Sequence, residues 1–132
     1  MNIAIEELEN QAVQLIEENR LYEAIELLRS CVALSGEHNQ TAYFMNWLAT
    51  VYELSSNIVS ARETLLEAIQ IDSNPWSKVH LAKLEAKHGD VKRAKAIHDE
   101  LLKVDGTIAI NELVRIKLFR DLEDVIQLIS LR

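Results

Sequence analysis

Chain breakers are nearly missing from this sequence: its 132 residues include one proline and three glycines. An all-β fold needs turn residues every ~8–12 positions, so that scarcity argues against a sandwich or barrel. Three scattered glycines, Gly36, Gly89 and Gly106, also leave no glycine-rich phosphate loop. Cys31 is the single cysteine, which rules out an internal disulfide and leaves no cysteine pair for a zinc site. No apolar run approaches the ~18 residues of a membrane span. Glu6 and Glu7 stand where a secretory signal would carry bases. These absences set the expectation of a cytoplasmic protein with no membrane association.

What is present is globular in kind. Hydrophobic residues make up 48% and charged residues 27%, and the length fits a single domain over residues 1–132. The net charge of -7 is unevenly spread. Residues 1–30 carry seven glutamates against Arg20 and Arg29, and residues 31–75 carry five acids against Arg62. Residues 76–105 reverse the balance, with seven bases against five acids. An acidic front half repels phosphate backbones, so nucleic acid is excluded as the expected partner. It favours a basic protein surface, or it serves solubility alone.

Three segments share one pattern. Small or apolar residues recur at offsets of three, seven, ten and eleven from Leu21, Ile58 and Val91, with His98 the sole exception. The series open on Ala24, Leu28 and Cys31; Ala61, Leu65 and Ala68; and Ala94, His98 and Leu101. Those offsets make one helical stripe. A preceding helix repeats as well, through Ala12, Ala49 and Ala82, followed three residues later by Leu15, Tyr52 and Glu85. The first interval is longer, which assigns the polar residues 35–40 to an extended loop. Asn57, Asn74 before Pro75, and Asp90 after Gly89 carry cap chemistry. The predicted helices are 3–18, 21–34, 40–54, 58–70, 75–88, 91–103, 107–118 and 121–131. The last two form a fainter pair that closes the series.

This pattern resembles the tetratricopeptide repeat. The resemblance is carried by Leu81, Ala82, Gly89, Asp90, Val91 and Ala94; by Trp47, Leu48, Ala49, Tyr52 and Ala61; and by Ala12, Leu15, Ala24 and Cys31. It covers roughly residues 8–105. It implies an all-α, right-handed α-solenoid of about four antiparallel helix hairpins, near residues 3–36, 40–72, 75–105 and 107–132. Departures exist. Glu85 replaces an aromatic, Gly36 and Gly106 replace prolines, and the family's lysine and asparagine clamp for acidic tails is not recognisable.

The resemblance also implies that the first helix of each hairpin lines a concave groove that holds a peptide or helix of a partner. Mapped here, the partner-binding groove is Tyr43, Asn46, Trp47 and Thr50, then Trp76, Val79, Lys83 and Lys87. Glu6, Glu9, Val13 and Glu17 make its acidic end. A second reading of Trp47 and Trp76 has them stack between hairpins. A second interface is expected at Leu118, Leu122, Val125, Ile126 and Ile129, which form an apolar stripe suited to another chain, such as a second copy. The alternative is that this stripe folds back on the third hairpin.

No catalytic residues are assigned. His80 and His88 are about two helical turns apart, too far for one metal ion. His98 replaces leucine in the stripe and reads as a packing residue. No cofactor and no metal are expected. The expected function is a protein–protein interaction module, acting as a scaffold, adaptor or chaperone. Two alternatives stand beside it: a stoichiometric inhibitor or immunity protein that masks a basic partner, and a docking subunit of a larger assembly.

Overall fold

The computed structural model describes residues 3–102 and 112–131, with side chains described for residues 4–101 and 120–131. Every regular element among them is an α-helix. These are α1 (Ile3–Glu17), α2 (Leu21–Leu34), α3 (His38–Leu54), α4 (Ile58–Ile71), α5 (Pro75–His88), α6 (Val91–Leu102) and α7 (Glu112–Ser130). Among the described residues no helix is long and apolar enough to cross a membrane.

The chain forms two compact units, Met1–Ser77 and Lys78–Arg132. In the first, α1 packs on α2, α2 on α3 and α3 on α4, as antiparallel neighbours joined by three-residue turns. In the second, α6 packs on α7, and the α5 residues Lys78 and Lys83 reach Glu100 of α6 and Asp121 of α7.

The stripes read from the sequence are the buried faces. Ala24, Ala61 and Ala94 have no exposed surface. Leu28, Leu65 and His98 are buried one turn later, and Cys31, Ala68 and Leu101 after them. On the preceding helices Ala12, Ala49 and Ala82 are buried too. Small side chains at these positions let helix backbones approach. Bulk comes from neighbours such as Phe44 and Val51, both fully buried. Burying one such side chain contributes ~1.5–3 kcal/mol. Ala42, Met45 and Ala68 form one apolar cluster flanked by Val32 and Ile71, so α2, α3 and α4 share a core.

The turns repeat as closely as the stripes. Asn19 (φ 61°) and Ser56 (φ 66°) are left-handed, and they lie at equivalent places after α1 and α3. The Arg20 N–H donates to the Leu15 carbonyl (2.8 Å) and the Asn19 N–H to that of Ile16 (3.0 Å). The Asn57 and Ser56 N–H groups do the same to Tyr52 (2.8 Å) and Glu53 (2.9 Å). This paired closure satisfies carbonyls that a helix end would otherwise leave open. After α5, Gly89 takes the left-handed residue's place in the register. Here the Gly89 N–H donates to the Glu85 carbonyl (2.9 Å), and the Asp90 N–H goes to the Glu85 carboxylate (3.3 Å). The caps are as expected. The Ser60, Ser77 and Lys92 N–H groups donate to the side chains of Asn57, Asn74 and Asp90.

Two boundaries differ from expectation. The polar segment 35–40 is not an extended loop, because α3 begins at His38. The Thr41 hydroxyl bonds back to the Glu37 carbonyl (3.0 Å) and lies 2.7 Å from the Ser35 hydroxyl, which closes the turn in three residues. The expected break between helices 107–118 and 121–131 is absent, and α7 runs unbroken from Glu112 to Ser130. Phe119, Arg120 and Asp121 include no glycine or proline, so nothing in the backbone stops the helix there. Residues 107–111 of that expected pair lie outside the described residues.

Candidate functional site

Within the first unit, α1 and α3 bring Glu9 and Tyr43 together. The Tyr43 hydroxyl donates to Glu9 Oε1 at 2.7 Å. Its ring meets Phe44 edge-on, with centroids 5.3 Å apart. Tyr43 is nevertheless 44% exposed, so one edge of the ring faces solvent. Its phenol is held above the ordinary value, first by partial burial; Glu9 adds to the shift and the Trp47 side chain opposes it. Trp47 lies one helical step on and is half-buried. Glu9 and Val13 are half-buried, and Glu6 and Glu17 are exposed. Glu9, Tyr43 and Trp47 therefore form a small acid-and-aromatic surface on unit one.

The other residues assigned to the groove in this unit have different roles. Asn46 is buried, and its Oδ1 accepts from the Ser77 hydroxyl at 2.8 Å. Asn74 Nδ2 donates to that hydroxyl in turn (3.3 Å). This chain satisfies polar groups in the core, and Asn46, buried there, is not a surface residue. The Thr50 hydroxyl donates to the Asn46 carbonyl (3.0 Å), so its proton is used within the helix. Trp76 is half-buried at the start of α5.

In the second unit, Val79 is 2% exposed and belongs to the core rather than to a surface. Lys83 Nζ is 3.4 Å from Asp121 and 3.7 Å from Asp124, both on α7. Lys87 is exposed at the end of α5. The C-terminal stripe divides. Leu122 and Val125 are covered by the chain itself, whereas Ile126 is 41% exposed and Ile129 half-buried. The side chain of Leu118 lies outside those described. The intrachain packing expected as the alternative thus accounts for the two most buried members.

Among the pairings that escaped sequence reasoning are Glu9 with Tyr43, Lys83 with Asp121, and Arg29 with Tyr52. Arg29 donates to the Tyr52 hydroxyl through Nη2 (2.6 Å) and Nε (3.2 Å). That contact, more than any other, raises the Arg29 guanidinium above its ordinary value. The shared period of the two repeats was the one available signal, since it sets Arg29 and Tyr52 on adjoining helices.

Candidate chemistry is sparse. Among the described residues no cluster of three His, Cys, Asp or Glu is placed to hold a metal ion. The Cys31 thiol is buried, and burial, with Glu9 second, pushes it above its ordinary value. A thiol in that state is a weak nucleophile. No protein-family model matches the chain, and no curated protein matches it.

Proposed function

We propose that this chain is a protein-binding module of the tetratricopeptide kind, and that the α1–α3 face of its first unit holds a basic segment of a partner. The observation that carries the reading is the Tyr43–Glu9 bond at 2.7 Å. It ties the two helices that the resemblance assigns to the groove, and it sets a carboxylate beside a partly exposed ring. Trp47 extends the aromatic surface, and Glu6 and Glu17 extend the acidic one. Aromatic anchors rimmed by charge suit an extended or helical peptide with bases beside an apolar residue. The solenoid arrangement, the scaffold or adaptor role and the absence of catalysis belong to this same proposal.

The acidity of residues 1–77 also favours a narrower form, a stoichiometric inhibitor masking a basic protein. Affinity separates the two. An inhibitor binds with nanomolar or tighter Kd and a steep salt dependence, whereas an adaptor holding short segments binds about a thousandfold more weakly.

An array of synthetic helical peptides tests the proposal on the full chain. One half carries lysine or arginine at i, i+4 beside leucine or tryptophan, and the other half has glutamate in place of the bases. The basic set binds, with amide shifts mapping to Glu9, Tyr43 and Trp47. Equal binding of both sets, or shifts confined to other surfaces, contradicts it.

A further inference from the structure

Several of the described cations are paired with acids. Arg20 pairs with Glu18 and Glu23, Arg29 with Glu26, Lys78 with Glu100, and Lys83 with Asp121 and Asp124. Lys92, Arg93 and Lys95 are different. They are exposed on the first turns of α6 and have no acidic side-chain partner among the described residues. Their position works against the helix that carries them. Cations at a helix N-terminus oppose the macrodipole, and Lys92 and Lys95, three apart, repel each other. Asp90 offsets part of this by capping the Lys92 and Arg93 N–H groups.

The complement is in the same sequence. Residues 1–77 carry twelve acids against Arg20, Arg29 and Arg62, whereas residues 78–132 carry eleven bases against nine acids. On α1, Glu6, Glu7 and Glu17 are exposed and have no basic partner among the described residues. A chain so divided presents an unneutralised acidic helix and an unneutralised basic helix in every copy.

We propose that the basic face of α6 docks on the acidic face of α1 in a second copy of this chain. The proposal rests on the reading of α1 as a surface for a basic partner and names that partner. An extended polyanion is disfavoured at α6 by the acidic excess of residues 1–77, whereas a second copy brings a short, matched acidic face. Copies repel through their net charge, but at physiological salt that repulsion is screened beyond ~8 Å and close ion pairs survive. The contact joins unlike surfaces, so it is heterologous and extends into longer assemblies unless a ring closes.

Sedimentation velocity of the full chain across a wide concentration range is the test. The wild type gains mass with concentration and loses that gain in high salt. K92E/R93E/K95E and E6K/E7K/E17K each remain monomeric alone, and their equimolar mixture associates, through the original contact and through its charge-reversed counterpart. K92Q/R93Q/K95Q replaces the reversal if that variant loses its helical circular dichroism. A wild type that stays monomeric, a K92E/R93E/K95E protein that associates as the wild type does, or a mixture that does not associate overturns the proposal. Peptide binding at Glu9, Tyr43 and Trp47 is read separately on K92E/R93E/K95E. If it persists while the wild type stays monomeric only this inference falls, and if it is absent as well the binding reading falls with it.

Discussion

The Glu85 carboxylate accepts the backbone N–H of Asp90 at 3.3 Å across the turn from α5 to α6. In the two earlier turns the corresponding N–H groups, of Arg20 and Asn57, go to the backbone carbonyls of Leu15 and Tyr52. Glu85 holds the register position of those two residues. A buried glutamate in an apolar site is thereby explained: it supplies with its side chain the acceptor that the other turns take from the main chain.

Glu85→Ala removes that charged acceptor from the turn, so it destabilises the fold by ~1.5–3 kcal/mol. Glu85→Gln keeps an oxygen there and loses less than half as much. Urea titration of both variants checks the order. Equal losses would mean that the carboxylate charge, and not the acceptor, matters at this turn.

Much of the fold was legible because a helical stripe needs only one kind of information, the spacing of small and apolar residues. Ala24, Ala61 and Ala94 announced their burial in this way. The polar contacts were not legible. Glu9 and Tyr43, Asn46 and Ser77, and Lys83 and Asp121 are each more than thirty positions apart. Singly, each looks like a solvated side chain. Helix α5 failed for another reason. Val79, Leu81, Ala82, Leu84, Glu85 and Ala86 are all buried, so the helix is covered on more than one side and no stripe marks an exposed face. Val79 was therefore misassigned to a surface. The continuity of α7 was missed because a weak repeat was carried past the point where any breaker supports it.

The tight approach at the repeated alanines predicts a contrast. Ala61→Leu forces a larger side chain into a site with no exposed surface and costs ~1–3 kcal/mol through displaced neighbours. Ala33→Leu, on the exposed face of α2, changes stability by less than ~0.5 kcal/mol. Thermal unfolding of the pair measures the difference, and equal effects would remove the packing role of Ala61.

The left-handed turns predict a gain. A non-glycine residue there costs ~1–2 kcal/mol, and glycine returns ~0.5–1 kcal/mol of that as lost chain entropy. Ser56→Gly therefore stabilises by a few tenths to ~1 kcal/mol. Asn19→Gly gains less, because asparagine visits this region more readily. Denaturant midpoints of the two variants give the ranking.

Alkaline pH weakens the fold in two stages. The Cys31 thiol and Tyr43 phenol are raised above their ordinary values of 9.0 and 10.0. Each holds its proton more tightly in the folded chain, so its contribution is complete below the ordinary value and is lost as pH rises through the folded one. Cys31→Ala removes the earlier stage and Tyr43→Phe the later. Unfolding free energy followed from neutral to strongly alkaline pH resolves the two.

The most direct test of the binding account is the affinity of Tyr43→Ala for a basic helical peptide that the wild type binds. Calorimetric titration is run beside circular dichroism of the same sample. The account predicts at least tenfold weaker binding, about 1.4 kcal/mol, with the helical signal retained. Unchanged affinity in a folded Tyr43→Ala protein would contradict it.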